Sequence, residues 1–449
     1  MTPFRPLSLS ILSLALGAAL CAPAQAQSLL ELVESARTHD TAWQSARAQL
    51  DAAARKADQA RAGLLPSAAL TGGLTRSNVE LSKPRIENTG TVQTVGINAA
   101  QPLYRPANRI TLEQGQRGVE VAQAQLDAAT QDLLVRVSQA YFDVLAAQDT
   151  LTFVQAQKAA VSEQLAAAKR NFEVGTTTVT DSREAQARYD LVIAQEIAAE
   201  NDLRVKSLAL DQLVGITGTK PLPLALPVQL PSVVPDNLTT WVDTARDQQP
   251  GVRQAAIALD IARLETKKAE TGHLPTVDLQ AGYNVTRNLH GTITSPGVTA
   301  RSNAASVGVA LNLPLFAGFA VQNRVKETLA LETKAEADLE TARRNVAQAT
   351  RAAFYGVQSG QVQVQALQAA EASSQSALDA NKLGYQVGVR INIDVLNAQS
   401  QLFQTKRDLA AARYNVLLGG LLLRQASGQL VAEDLRPVDA LLLNAPLVR

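Results

Sequence analysis

The sequence predicts an α+β membrane protein: mostly long coiled-coil-like α-helices, plus four β-strands per chain that one chain cannot close into a barrel. Three observations predict it. The chain is duplicated, each half carries two short segments that alternate with a period of two, and each half carries a segment of about 69 residues with helical spacing and almost no proline. Composition agrees, because hydrophobic residues reach 46% while Phe, Trp and Tyr together reach only 4%. That is little bulky filler for a thick globular core, whereas Ala, abundant here, favours helices and lets them pack closely.

The first 26 residues are expected to be a signal peptide. Arg5 supplies a positive start, Leu7 to Leu20 an apolar stretch too short to span a bilayer comfortably, and Ala24-Gln25-Ala26 a small-x-small cleavage site. The exported chain then begins at Gln27. A lipid anchor on Cys21 is the alternative, disfavoured by the bulky Leu20 before it. The only Cys and the only Met leave with this segment, which excludes disulfides, thiolate metal sites and Cys catalysis. Removing Arg5 from 42 basic residues leaves 41 against 41 acidic, so the mature chain is formally neutral and offers no electrostatic case for nucleic acid.

The duplication is read from matched pieces. Gly63-Leu64-Leu65-Pro66 returns as Gly272-His273-Leu274-Pro275, and Gln101-Pro102-Leu103-Tyr104 returns as Leu313-Pro314-Leu315-Phe316. Phe172-Glu173-Val174-Gly175 matches Tyr385-Gln386-Val387-Gly388, and Asp181 matches Asp394. The expected organisation is therefore a first repeat over 27–219, a connector over 220–235 that is too rich in proline to be helical, a second repeat over 236–428 and a tail over 429–449.

Each repeat has the same plan. A helix from about Leu29 to Ala62 stops before a Leu-Pro signal. Two strands follow, clearest in the second copy. From Thr276 to Thr286 polar or small residues alternate with Val277, Leu279, Ala281, Tyr283 and Val285, and from Ala305 to Leu313 the apolar set is Val307, Val309, Leu311 and Leu313. The first copy repeats this less cleanly at Leu70 to Thr75 and Val95 to Gln101. The stretches Ser77 to Thr91 and Asn288 to Ser302 are expected to be polar loops facing outside the cell.

Strands of ~10 residues with one apolar face match tilted membrane-spanning strands. A closed barrel needs about eight or more of them, and open edges are not tolerated in lipid. Several chains must therefore contribute. After each hairpin comes a long helix, Arg105 to Glu173 and Gly318 to Gln386, where ~69 residues span about 100 Å. Each turns at a Val-Gly into an antiparallel partner, Thr180 to Val214 and Asn392 to Ser427. The combination describes a membrane barrel continued by a helical tube.

This arrangement resembles the TolC family of outer-membrane channel proteins over essentially the whole mature chain. The residues that carry the resemblance are the duplicated halves, the strand starts at Pro66 and Pro275, the two strand exits, and the tips Asn171 to Asp181 and Lys382 to Asn397. The resemblance implies a homotrimer with a twelve-stranded β-barrel in outer membrane lipid and a helical barrel crossing the periplasm. It also implies work alongside a periplasmic adaptor (membrane fusion) protein and an inner-membrane ABC or proton-driven transporter.

The resemblance further implies roles at the tips, where the periplasmic mouth closes. Tyr385 and Arg390 on one tip would contact Thr180 and Asp181 on the other as gate links. Asp394 would form an aperture ring that attracts cations, with Asn397 one turn later supplying a neutral inner ring where relatives often place a second acid. Val174, Gly175, Thr176, Val387, Gly388 and Val389 would present the docking surface for the adaptor. Each role competes with a simpler one: Asp181 and Asp394 stand in first turns of helices, where carboxylates cap free amides, and the glycines can simply end helices.

An enzyme is disfavoured by inventory. His39, His273 and His290 are scattered, and there is no G-x-S-x-G, H-E-x-x-H, P-loop or dinucleotide fingerprint. No cofactor and no metal are expected. The expected function is an exit duct in the cell outer membrane for a tripartite efflux pump or type I secretion system. The alternative is a structural or adhesive surface fibre with a β-hairpin membrane anchor, which duplication disfavours because a fibre does not need two hairpins.

Overall fold

The computed structural model describes residues 27–442 apart from 84, 226, 293 and 294. The expected signal peptide, 1–26, and the last residues of the expected tail, 443–449, lie outside the described residues. The chain divides into a sheet unit, residues 46–126 and 251–342, and a helical unit formed by the described residues of 1–45, 127–250 and 343–449. No helix among the described residues is long and apolar enough to cross a membrane.

The sheet unit holds β1 (Ser67–Ser82), β2 (Arg85–Tyr104), β3 (Thr276–Asn288) and β6 (Ala300–Asn312) in the antiparallel order β1-β2-β3-β6. Rungs such as Leu70–Ile97–Tyr283 and Ala99–Ala281–Val307 put apolar side chains on one face. Thr71–Gly96–Asn284 and Asn98–Gly282–Ser306 lie on the other. The apolar face is uncovered, with Leu70, Val307 and Leu311 at 74%, 79% and 68% exposure. At the end of the sheet Arg105 grips Asp278 through two bonds, Nε to Oδ1 at 2.8 Å and Nη2 to Oδ2 at 2.6 Å.

Here the expected strands fall short. Pairing of β1 with β2 continues out to Ser82↔Arg85, so most of the expected loop Ser77 to Thr91 is paired ribbon. The alternation fades beyond Thr75, but an antiparallel ladder needs only backbone groups, and it continues without an apolar face. In the second copy the expected loop contains a two-rung ladder between β4 (Gly291–Thr292) and β5 (Ser295–Pro296).

The expected first helix is two. Helix α1 (Leu29–His39) ends at Asp40, whose backbone is extended, and α2 (Thr41–Ala62) restarts with the Trp43 N–H donating to Asp40 Oδ1 at 2.7 Å. The second copy breaks likewise between α5 (Leu238–Gln248) and α6 (Pro250–Glu270), where Pro250 occupies the first helical position. Helices α3 (Pro106–Glu173), α4 (Val179–Val214), α7 (Ala320–Gln386) and α8 (Asn392–Ala426) follow the expected long and return helices within two residues.

In the helical unit, α1 starts with a capping box between Ser28 and Glu31. It buries the helical stripe Leu29, Leu32, Val33 and Ala36 against Val137, Tyr141, Leu145, Leu210 and Leu421. Asp40 is tied to Arg136 at 2.9 Å, and this bond holds its carboxyl below the usual range. Elsewhere in the unit, Asp149 accepts from the Tyr414 hydroxyl at 2.7 Å, and burial pushes its carboxyl up.

Candidate functional site at the paired helix tips

Each long helix meets its return partner in the helical unit through a short turn. At the first tip α3 ends at Glu173, Gly175 takes φ 75°, and the Thr176 N–H donates back to Asn171 O at 2.9 Å. At the second, α7 ends at Gln386, Gly388 takes φ 78°, and the Val389 N–H donates to Gly384 O at 2.8 Å. Glycine is required here because a side chain at positive φ is strained.

The two equivalent aspartates have different fates, and one residue decides it. Asp181 closes a capping box: its N–H donates to Thr178 Oγ1 at 3.3 Å, while its Oδ2 accepts from the Thr178 N–H at 3.1 Å and hydroxyl at 2.9 Å. In the second copy the residue three before Asp394 is Ile391, which has no hydroxyl, and α8 starts without a side-chain cap. The Asp394 carboxylate is thereby released from capping and lies 3.7 Å from Arg390 Nη1.

The four expected gate links do not pair with one another within the chain. Asp181 is engaged by Thr178, Arg390 lies beside Asp394, and the Tyr385 hydroxyl accepts from Asn171 Nδ2 at 3.1 Å. Thr180 is exposed. The tips are nevertheless joined. Leu396 of α8 packs among Val161, Leu165, Ala185 and Val192 of α3 and α4, and Arg188 Nη2 donates to Asn397 Oδ1 at 2.8 Å.

Asn171 and Arg188 are thus site residues that sequence reasoning missed. A signal existed for the second: Arg188 follows Asp181 by seven residues, which places it two turns on along the same face of α4. The apolar members of the expected docking surface are strongly exposed, with Val174, Val387 and Val389 at 71%, 66% and 79%. Phe172, Leu383 and Ile391 extend them at 45%, 62% and 59%. Uncovered large apolar side chains gathered at two joined turns have the character of an interaction surface.

Comparison with known proteins gives concordant matches. A family model described as outer membrane efflux protein matches residues 32–216 and 241–429. The outer membrane protein TolC of Vibrio cholerae is 34% identical over 415 residues, covering 92% of this chain and 94% of that protein. The proteases secretion protein PrtF of Dickeya chrysanthemi is 30% identical over 443 residues, covering 95% of this chain and 93% of that protein. Among solved structures, the outer membrane protein VceC of Vibrio cholerae superposes with a TM-score of 0.76 at 20% identity, covering 89% of this chain and 96% of that one.

Proposed function

The chain belongs to the outer membrane efflux protein family, and from that membership we infer that it is the outer-membrane exit duct of an efflux pump or type I secretion system. The observation that carries this is the open sheet. Among the described residues β1 and β6 each pair on one side only, and their shared apolar face is uncovered. Unpaired edges are not viable in lipid, so copies join edge to edge, as a homotrimer, into a closed barrel. A surface fibre with a hairpin anchor has no use for the second hairpin that each chain carries.

The duct is passive, and work is supplied by an inner-membrane ABC or proton-driven transporter through a periplasmic adaptor. Val174, Gly175, Thr176, Val387, Gly388 and Val389 form the surface that receives the adaptor, supported by the exposure of its three valines. Asp394 lines the aperture, supported by its release from capping. Thr180, Asp181, Tyr385 and Arg390 hold the mouth shut. Since Asp181 and Arg390 have other partners within the chain, their pairing is between neighbouring copies.

Reconstitution in planar bilayers tests this. Purified full-length protein is expected to give discrete conductance steps that Arg390→Ala enlarges. A correctly folded assembly that never conducts overturns the duct.

A further inference from the structure

The charges around Asp394 go beyond a carboxylate ring. On α8, Asn397 follows Asp394 by three residues and so shares its face one turn deeper. Its side-chain oxygen holds Arg188, which reaches over from α4 with Nη2 at 2.8 Å. On the other side of Asp394, Arg390 Nη1 lies 3.7 Å from Oδ2. This face therefore carries two guanidinium groups for each free carboxylate. Asp181, also on α4, keeps its charge within its own helix cap, so that the two guanidinium groups face two carboxylates in all.

Rings of charged side chains set the selectivity of a pore by sign. We propose that Arg188, fixed by Asn397, is the selectivity-setting residue of the aperture, offsetting the Asp394 carboxylates so that anionic cargo passes without the barrier a purely acidic mouth would raise. This rests on the reading of Asp394 as an aperture residue. Asn397 is more than a neutral substitute in an acidic ring: its oxygen is the fixed point that keeps a cation at that depth. An arginine suits this because its planar fork stays charged at any working pH and can be oriented by a single acceptor.

Reversal potentials in a KCl gradient across planar bilayers, measured on the full-length assembly, provide the test. The wild-type duct is expected to show a potassium-to-chloride permeability ratio near unity. Arg188→Gln keeps a donor for Asn397 but removes the charge, and the ratio is expected to rise roughly fivefold, the factor a unit charge at close range in water implies. Asp394→Asn is expected to lower it. Asn397→Asp is expected to raise the ratio about as much as Arg188→Gln, because a carboxylate that cancels Arg188 leaves nothing to offset Asp394, and the double variant is expected to raise it further.

If Asp394→Asn shifts the ratio while Arg188→Gln does not, the role of Arg188 is overturned and the aperture stands. If neither shifts it, Asp394 does not line the conducting path and both readings fall. If Asn397→Asp leaves the ratio unchanged while Arg188→Gln raises it, Asn397 does not share the depth of Arg188 and the proposal falls.

Discussion

The Tyr141 hydroxyl and the backbone of Leu222 satisfy each other in both directions: the Leu222 N–H donates to it at 2.8 Å, and it donates to the Leu222 carbonyl at 3.0 Å. Tyr141 is wholly buried, so this one side chain pins the connector after α4 to the core of the helical unit. Tyr141→Phe removes the hydroxyl and leaves two buried backbone groups unpaired. A loss of about 1–3 kcal/mol is expected, read as a lower melting temperature of the detergent-solubilised protein with single-channel conductance unchanged. An unaltered melting temperature would show that the exchange contributes nothing.

Asp40 gives the protein an acid-side dependence of definite sign. Its carboxyl is held below the usual range, first by the bond from Arg136. A carboxylate more acidic in the folded than the unfolded state stabilises the fold above its unfolded value of about 3.9. That contribution is lost as the pH falls through the lowered folded value. Asp40→Asn is therefore expected to destabilise at pH 7 and to flatten the loss of stability below about pH 4. Asp149, pushed up by burial, acts with the opposite sign: its cost at neutral pH is relieved as the pH falls through its raised value. Melting curves across pH for the two Asn variants should diverge in these directions.

Ile391→Thr installs the hydroxyl that the second tip lacks. Backbone angles of φ −99° and ψ 163° already suit a helix cap, so the new Thr is expected to form with Asp394 the box that Thr178 forms with Asp181. Hydrogen-exchange protection at the start of α8 should rise by about 0.5–2 kcal/mol. Potassium preference should fall as the carboxylate turns into the cap. Protection without a change in preference would separate capping from the aperture.

Gly428 ends α8 at φ 77°, and a Cβ there would lie 2.5 Å from Gln249 Cα. Neither the left-handed conformation nor the neighbouring backbone can give way. Gly428→Ala is expected to cost more than the roughly 1–2 kcal/mol of the left-handed conformation alone, and to lower the yield of folded protein. Near-wild-type melting would mean that the 249–250 break yields more readily than its packing implies.

What could be read from the sequence was what recurs. The two copies fix the long helices to within two residues, because Gly175 and Gly388 end both in the same way. The break at Asp40 was missed although the second copy shows it openly: Pro250 cannot continue a helix from Gln248, and carrying that signal across the repeat would have flagged Asp40. The outer parts of β1 and β2 were missed because their pairing depends on the backbone ladder and not on an apolar pattern. Asn171 to Tyr385 and Arg188 to Asn397 join residues more than 200 positions apart. No local spacing encodes such partners; they follow from how α8 packs on α3 and α4.

The sheet's two free rims also carry a genetic consequence. They are different strands, β1 and β6, and a ring of three copies closes only when each β1 meets its neighbour's β6, head to tail. A copy spoiled along β6 alone still offers a sound β1, is accepted by a healthy neighbour, and then blocks completion. Such an allele should be dominant: expressed beside the wild type, it would waste intact subunits in dead-end partial rings and sensitise the cell out of proportion to its dose.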